Sequence, residues 1–448
     1  MHLQFTAVFE RFRVVARWRR LIAAFAPLAL APPSALRPRS DLLAITHVTV
    51  VDAQRDVVIP DQTVIVTGNR ITAVGASERT VVPEEARVVD GHGKYLIPGL
   101  WDMHVHLGNA SEVALPLFIA SGVTGVRDMG SPKYETLHRW SVEALAGQRV
   151  GPRIVAAGPI LDGSGTDAIR VIVHTADDAK RAVDSLAALG VDFIKVHEHL
   201  SRDVYFAIAS EARALSIPFV GHVPAGDTSF FVSGTEAANA GQASLEHMFG
   251  IPFRADTPLR DLYAALKRAA TAVDPTLVTI WSAAHACDTT VTRAQAVRLA
   301  PARLRAFWRS QLPKCPSASI GIRAYLFDAR LRGIRPLRDA GIPLLAGSDV
   351  GFPYVIPGHS LHHELALLVE AGLTPAEALL TATLNPARFF HREFELGTIE
   401  PGKLADLVLL EANPLASIAN VARISWVIAN GRLFARGELD HMAQRSER

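Results

Sequence analysis

The stretch Gly99-Leu100-Trp101-Asp102-Met103-His104-Val105-His106 decides the fold that we predict for this chain. It is a mostly apolar run with two histidines at its end, a pattern that favours a buried strand with polar residues at its carboxyl end. Side chains alternate along a strand, so His104 and His106 face the same way. Two imidazoles at this spacing can bind one metal ion, although a single H-x-H pair is more often incidental.

Seven further apolar runs of similar length follow this first one. They span residues 123–129, 153–160, 192–197, 218–223, 244–248, 276–280 and 343–349. Helical patterns lie between most of them, as at residues 176–189 and 202–216. Eight strands that alternate with helices predict an α/β protein with a (β/α)8 TIM barrel. A doubly wound open sheet is the alternative, but no G-x-G-x-x-G motif follows the first strand to favour a nucleotide site.

The two ends of the chain share a different pattern, of short β-rich runs separated by turn residues. Such runs lie at residues 47–51, 63–66 and 71–74, and again at residues 406–410, 426–429 and 432–435. The pair Asn430-Gly431 is typical of a hairpin turn. We therefore predict a small β-sandwich domain built from residues 41–97 and 396–440, with the barrel of residues 98–395 inserted between its halves.

Residues 1–35 differ from the rest of the chain and predict a signal peptide. Five arginines and one acid precede an apolar run at residues 21–31, and small residues and prolines follow. This order is typical of a secretory leader, so we expect export to the periplasm or secretion. A mistranslated or disordered leader and a transit peptide are alternatives, and a misassigned start would leave the protein cytoplasmic. Export would also allow Cys287 and Cys315 to form a disulfide, whereas two buried free thiols are the alternative.

The composition excludes several classes of function. Hydrophobic residues make up 49% and charged residues 20% of the 448 residues, so a large buried core is expected. The formal net charge of +2 gives no electrostatic footprint for nucleic acid. Apart from the leader we expect no integral membrane segment, because no apolar run reaches the ~18–20 residues that span a bilayer. A small-molecule substrate is therefore the expected partner, and a homo-oligomer is left open.

Candidate metal ligands lie at the ends of five predicted strands. They are His104, His106, Lys195, His222, His247 and Asp349. Lys195 stands inside an apolar run, where an unpaired ammonium is costly. It either reaches solvent or an acid, or it has reacted with carbon dioxide to give an anion that can bridge two cations. Barrel enzymes keep their active sites at the carboxyl ends of their strands, so coincidence at all six positions is hard to maintain.

This order of residues resembles the amidohydrolase superfamily of metal-dependent hydrolases. The resemblance also includes Leu96-Ile97-Pro98-Gly99-Leu100-Trp101-Asp102 and the closing run at residues 396–407, LGTIEPGKLADL. Residues 217–224 (IPFVGHVP) and 359–375 are similar to the imidazolonepropionase-like branch, which includes dipeptidases. The resemblance covers nearly the whole chain from about residue 41.

The resemblance implies a site with two divalent metal ions, with Zn²⁺ as the expected ion. His104, His106 and Asp349 would bind the more buried ion, and His222 and His247 the more exposed one. Carboxylated Lys195 and a hydroxide would bridge them, and that hydroxide would attack the substrate. Asp349 would act as catalytic general base and then acid.

The expected reaction is hydrolysis of an amide (C–N) bond in a small substrate such as a dipeptide or N-acyl amino acid. Hydrolysis of a cyclic amide, carbamate or ester is the alternative, and a non-catalytic metal-binding barrel is a third reading. Residues 161–165 (LDGSG) lack the Gly-Gly-His of many relatives, which puts one substrate contact in doubt. His197 is a candidate contact or a packed residue, Glu246 a supporting residue, and Arg127-Asp128 a structural ion pair.

Overall fold

The computed structural model describes residues 42–225, 231–252, 259–311 and 317–445. The predicted leader at residues 1–35 and Cys315 lie outside these ranges. Export and the pairing of Cys287 with Cys315 therefore stay predictions. Among the helices of the described ranges, none is both long enough and apolar enough to cross a membrane.

Strands from both ends of the chain form one eight-stranded sheet. Its central strand β5 (Tyr95–Pro98) pairs with β1 (Leu42–Asp52) in parallel and with β15 (Leu407–Leu410) in antiparallel orientation. The other members are β2 (Val57–Thr67), β3 (Arg70–Ala76), β4 (Arg87–Asp90), β16 (Ile424–Ala429) and β17 (Arg432–Ala435). The prediction that the two ends meet in one sheet is confirmed, while the sandwich form of this domain stays a prediction.

The middle of the chain contributes parallel strands in two sheets. The first contains β6 (Leu100–Val105), β7 (Val123–Asp128) and β8 (Arg153–Ala156). The second contains β9 (Ile160–Asp162), β10 (Arg170–Ile172), β11 (Ile194–Val196), β12 (Phe219–Gly221), β13 (Ser244–Glu246) and β14 (Ala272–Asp274). All residues of β6, β7 and β11 to β14 are buried, because both faces of a parallel sheet are covered.

Backbone hydrogen bonds join these two sheets on both sides. Met103 of β6 donates its amide to Ala346 at 2.9 Å, and Leu345 donates to Val273 of β14 at 2.9 Å. The segment of residues 343–350 therefore lies between the first strand of one sheet and the last strand of the other. On the opposite side, Asp192 donates to Ala156 of β8 at 3.0 Å, just before β11 begins.

Helices follow most of the parallel strands, as the alternation in the sequence predicts. They are α1 (Leu107–Ala110), α2 (Leu115–Ala120), α3 (Tyr134–Leu145), α4 (Ala176–Leu189), α5 (Arg202–Ala214), α6 (Gly234–Ala240), α7 (Arg260–Ala269), α8 (Leu277–His285), α9 (Thr289–Thr292), α10 (Ala302–Gln311), α11 (Ser317–Asp339), α12 (His359–Glu370), α13 (Pro375–Thr381), α14 (Leu384–Phe389) and α15 (Arg436–Arg445). Helix α4 begins with a capping box between Thr175 and Asp178 and ends at Gly190, whose φ of 86° suits glycine. The α/β class is thereby confirmed.

Two strand predictions need correction. The seventh strand was expected at residues 276–280, but this run begins helix α8, and β14 ends two residues earlier. A short apolar run cannot be assigned to strand or buried helix by periodicity alone. The expected eighth strand at residues 343–349 is not a continuous strand. Besides the hydrogen bonds above, one bridge joins Leu344 to Val273, and a second, just beyond the expected strand, joins Val350 to Val105.

Candidate active site

Strand β6 delivers His104 and His106 to one side of the site. His104 is fully buried, and its Nε2 atom lies 3.7 Å from Oδ1 of Asp349. The Nε2 atom of His106 lies 3.3 Å from the same oxygen. The predicted alternation along this strand is therefore correct, and both imidazoles meet the one carboxylate.

Asp349 reaches this position through an unusual backbone. Its φ is 59°, and its amide donates to the carbonyl of His104 at 2.6 Å. Gly347 allows the close approach, because a Cβ there would lie 2.6 Å from the Cβ of His104. Burial would raise the pKa of Asp349, but the hydrogen bond from His106 and the charge of Lys195 hold this pKa below its ordinary value.

His222 and His247 follow strands β12 and β13 and complete the histidine cluster. The ring centroid of His247 lies 4.8 Å from that of His222 and 4.7 Å from that of His104. His247 has a φ of 55°, another left-handed backbone at this edge of the sheet. Of the predicted ligands, His104, His247 and Asp349 offer atoms within 4.8 Å of one another, close enough to hold a metal ion.

All four histidines have their Nδ1 atom engaged. Glu246 contacts Nδ1 of His104 at 3.0 Å, and Glu198 contacts Nδ1 of His222 at 2.7 Å. Nδ1 of His106 contacts the carbonyl of Gly130, and Nδ1 of His247 contacts the hydroxyl of Thr276. These contacts fix the orientation of each ring. The lone pair of Nε2 is then the one available to bind a metal ion, as in metal-binding histidines.

The protonation states also suit metal ligation. Burial lowers the pKa of His104, His222 and His247 well below the usual value of histidine. These rings are therefore neutral near pH 7, which is the form that binds a metal ion. Burial alone would lower the pKa of His106 too, but its hydrogen bond with Asp349 raises it.

The burial and hydrogen bonding of Lys195 show whether the residues of the site fit two metal ions. Its side chain is 1% exposed, and its Nζ atom has no hydrogen-bond partner among the residues that the structure describes. Burial lowers its pKa to about 8, so the neutral amine, the form that reacts with carbon dioxide, is accessible near neutral pH. The charge of Lys195 lowers the pKa of His104, His222, His247 and Asp349, so the lysine faces the cluster. An unpartnered buried amine among neutral imidazoles fits a carboxylated bridging lysine.

Two buried acids and one buried arginine form a network that contacts the proposed ligand His104. Arg127 is fully buried and donates to Glu246 at 2.9 Å, and its Nη2 atom lies 3.3 Å from Asp274. Glu246 therefore supports His104, as expected. The expected Arg127-Asp128 pair is wrong, because Asp128 instead accepts the amides of Leu107 and Gly130.

Sequence reasoning missed several supporting residues. Asp102 accepts the hydroxyl and amide of Ser348, which ties strand β6 to the segment before Asp349, and burial raises the pKa of Asp102 to about 7. Thr276 and Glu198 were missed too, although Glu198 stands beside His197 in the sequence. His362 of helix α12 bonds to the carbonyl of Ser121 at 2.8 Å, which gives it a structural role.

Comparison with known proteins places the chain in a family. The model of the Amidohydrolase family matches residues 95–434. The imidazolonepropionase of Geobacillus kaustophilus (strain HTA426) is 38% identical over 87 residues, covering 19% of this chain and 20% of that protein. The match therefore spans only about a fifth of this curated relative.

Solved structures resemble the chain over a much greater length. Bottromycin amidohydrolase is 26% identical with a TM-score of 0.72, over 97% of this chain and 93% of that one. A Xaa-Pro dipeptidase with bound methionine in the active site has a TM-score of 0.69 at 20% identity, over 88% and 100% of the two chains, and shows the fold alone. The chain belongs to the amidohydrolase family. The prediction of an amidohydrolase, an enzyme class that acts on carbon–nitrogen bonds, is confirmed at this level.

Proposed function

We propose that this protein is a binuclear metal-dependent hydrolase that cleaves an amide bond of a small substrate, such as a dipeptide or N-acyl amino acid. One observation carries the proposal. Four histidines with engaged Nδ1 atoms surround Asp349 and a buried lysine without a hydrogen-bond partner. The amidohydrolase name of the similar bottromycin enzyme supports the amide bond.

The contacts among these residues support the ligand assignment that the family resemblance implies. His104, His106 and Asp349 would hold one divalent ion, since both imidazoles already approach the same carboxylate oxygen. His222 and His247 would hold a second ion, and carboxylated Lys195 would bridge the two. Neutral imidazole and carboxylate are the ligands that Zn²⁺ accepts. When bound, two such ions lower the pKa of water and polarise a carbonyl group.

Asp349 is the residue that we assign to proton transfer. Its low pKa keeps it ionised near pH 7, so it can accept a proton from the attacking water. It can then deliver that proton to the leaving amine. The four histidines hold their positions during this exchange, because hydrogen-bond partners fix their Nδ1 atoms.

We further propose that the parallel sheets form one (β/α)8 barrel of residues 98–395, with the sheet of the chain ends as a separate domain. The segment of residues 343–350 bonds to both β6 and β14, which supports its role as the eighth strand. The six proposed ligands would then lie at the carboxyl ends of the barrel strands. This is where barrel enzymes hold their active sites.

Metal content and a substrate panel test the function together. Purified protein should contain close to two divalent ions per chain by elemental analysis. It should hydrolyse members of a panel of dipeptides and N-acyl amino acids. His247→Ala should lose metal and activity, while His138→Ala, at an exposed site on helix α3, should lose neither. Full activity without bound metal would overturn the proposal.

A further inference from the structure

A second cluster of metal-binding side chains lies beside the proposed active site. It contains Asp162 at the end of β9, and His197 and His199 just after β11. One ligand atom of each residue lies within 4.8 Å of the others. We call these three residues the Asp162 cluster, and none of them belongs to the six proposed ligands of the active site.

Both imidazoles approach the same oxygen of Asp162. The Nδ1 atom of His197 lies 3.0 Å from Oδ2, and the Nδ1 atom of His199 lies 3.3 Å from it. Ligand atoms on one tetrahedral Zn²⁺, at about 2.0–2.2 Å from the ion, lie about 3.3–3.6 Å apart. The spacing therefore lies close to that of atoms sharing a single metal ion.

The contact between His197 and Asp162 is close, but its geometry is poorly aligned for a hydrogen bond. The Nδ1 atom of His197 is buried and has no partner of acceptable geometry, although Asp162 lies 3.0 Å away. A nitrogen and an oxygen that approach each other without an aligned hydrogen atom are arranged as they would be around a common third atom. This feature separates the cluster from an ordinary aspartate–histidine pair.

The charges around the cluster also favour a cation. Asp162, Asp167 and Glu198 are carboxylates, and Arg170, which contacts Asp162 at 2.9 Å and also pairs with Asp167, is the positive partner. Counted without the imidazoles, three acids and one guanidinium give a formal charge of −2. Two backbone amides, of Gly163 and His199, hold Oδ1 of Asp162. Oδ2 accepts Nε of Arg170 at 2.9 Å and is also the oxygen that both imidazoles approach.

We propose that the Asp162 cluster binds a third divalent cation, of the Zn²⁺ class, at the rim of the active site. Asp162, His197 and His199 supply three ligands, and water completes the shell, because the His199 side chain is 49% exposed. Glu198 remains with Nδ1 of His222, which it contacts at 2.7 Å. The bound cation joins the turn after β9 to the residues after β11.

Zinc stoichiometry tests this site separately from activity. Wild-type protein, equilibrated with a buffered excess of free Zn²⁺, should bind three ions per chain by elemental analysis. His199→Ala should bind one fewer, and it should fold normally because this side chain is half-exposed. His138→Ala is the matched control and should bind as many ions as wild type. Asp162→Asn, checked for folding by circular dichroism, should also lose one ion.

The outcomes distinguish this site from the proposed active site. Equal zinc content in wild type and His199→Ala would overturn the third site, whatever the total. A wild-type content of one ion that falls to none in His199→Ala would support the Asp162 cluster and overturn the binuclear proposal. Loss of the ion in His138→Ala as well would show that zinc binds non-specifically to surface histidines, and would overturn the site.

Discussion

Oε2 of Glu246 lies 3.0 Å from Nδ1 of His104, and both side chains are completely buried. The carboxylate therefore selects the tautomer in which Nε2 of His104 carries a free lone pair towards the site. The same oxygen accepts a hydrogen bond from Arg127 at 2.9 Å. The charge of Glu246 thus serves two partners at once, which lie on the adjacent strands β6 and β7.

Glu246→Gln should weaken metal binding by about 10- to 100-fold, because the amide supports the ring less well than a carboxylate does. Removing the charge also leaves Arg127 with Asp274 as its remaining acidic contact, so the free energy of unfolding should fall. Competition with a chromophoric chelator measures the affinity. Glu112→Gln, at an exposed ion pair, is the control and should behave like wild type. Unchanged metal affinity in Glu246→Gln would show that Glu246 does not support metal binding through His104.

Lys195→Ala should lose metal and activity together, because the proposed bridge disappears. Short carboxylic acids should restore part of the rate by supplying the missing oxygens. Elemental analysis and turnover on the same sample check the result, with Lys180→Ala on the exposed face of helix α4 as the control. A variant that kept full metal content and full rate would make Lys195 a structural residue.

Asp349→Asn should lower turnover by about 10²- to 10⁴-fold and keep most of the metal, since asparagine retains an oxygen but cannot carry a proton. The pKa of Asp349 lies below its ordinary value, so wild-type activity should decline on the acid side as this carboxylate becomes protonated. That acidic limb should vanish in the variant. Near-full turnover in excess Zn²⁺ would leave Asp349 as a metal ligand only.

Asp192→Asn should stabilise the protein at alkaline pH. Burial raises the pKa of Asp192 to about 7, and its carboxylate accepts the amide of Ala156. The native state therefore binds more protons than the unfolded state between about pH 4 and 7, so the free energy of unfolding falls as the pH rises through this window.

Asparagine keeps the acceptor without the buried charge, and each unit of pKa shift corresponds to about 1.4 kcal/mol. Urea unfolding at pH 8 and pH 4 should show a gain in stability for the variant at the higher pH alone. A gain of equal size at both pH values would show that charge is not the cause.

The site was more predictable from the sequence than the exact strand boundaries. His106, His222 and His247 directly follow parallel strands, and His104 and Lys195 lie within the last residues of β6 and β11. These positions could be predicted because the carboxyl ends of parallel strands meet at one edge whatever their precise limits. His104 and His106 needed only the two-residue alternation of a strand to be placed together.

The supporting residues depended on contacts that a linear pattern does not contain. Arg127 was paired with its neighbour Asp128, yet its partner Glu246 stands 119 positions further on. Thr276 was assigned to a strand, because the run after it is as apolar as a strand. In the structure that run begins a helix, and the threonine hydroxyl holds His247 instead.

The shared sheet of the two chain ends has a consequence for biosynthesis. Strand β5 pairs with β15, and these strands are separated by more than three hundred residues. The ribosome synthesises the chain from the N-terminus. The edge of β5 that pairs with β15 therefore stays unpaired until almost all of the protein has emerged. Loss of the last 25 residues, by a late stop codon or proteolysis, would leave β15 in a sheet without β16 and β17. Chaperones and proteases can therefore act on the unpaired edge of the sheet until its last strands have been synthesised.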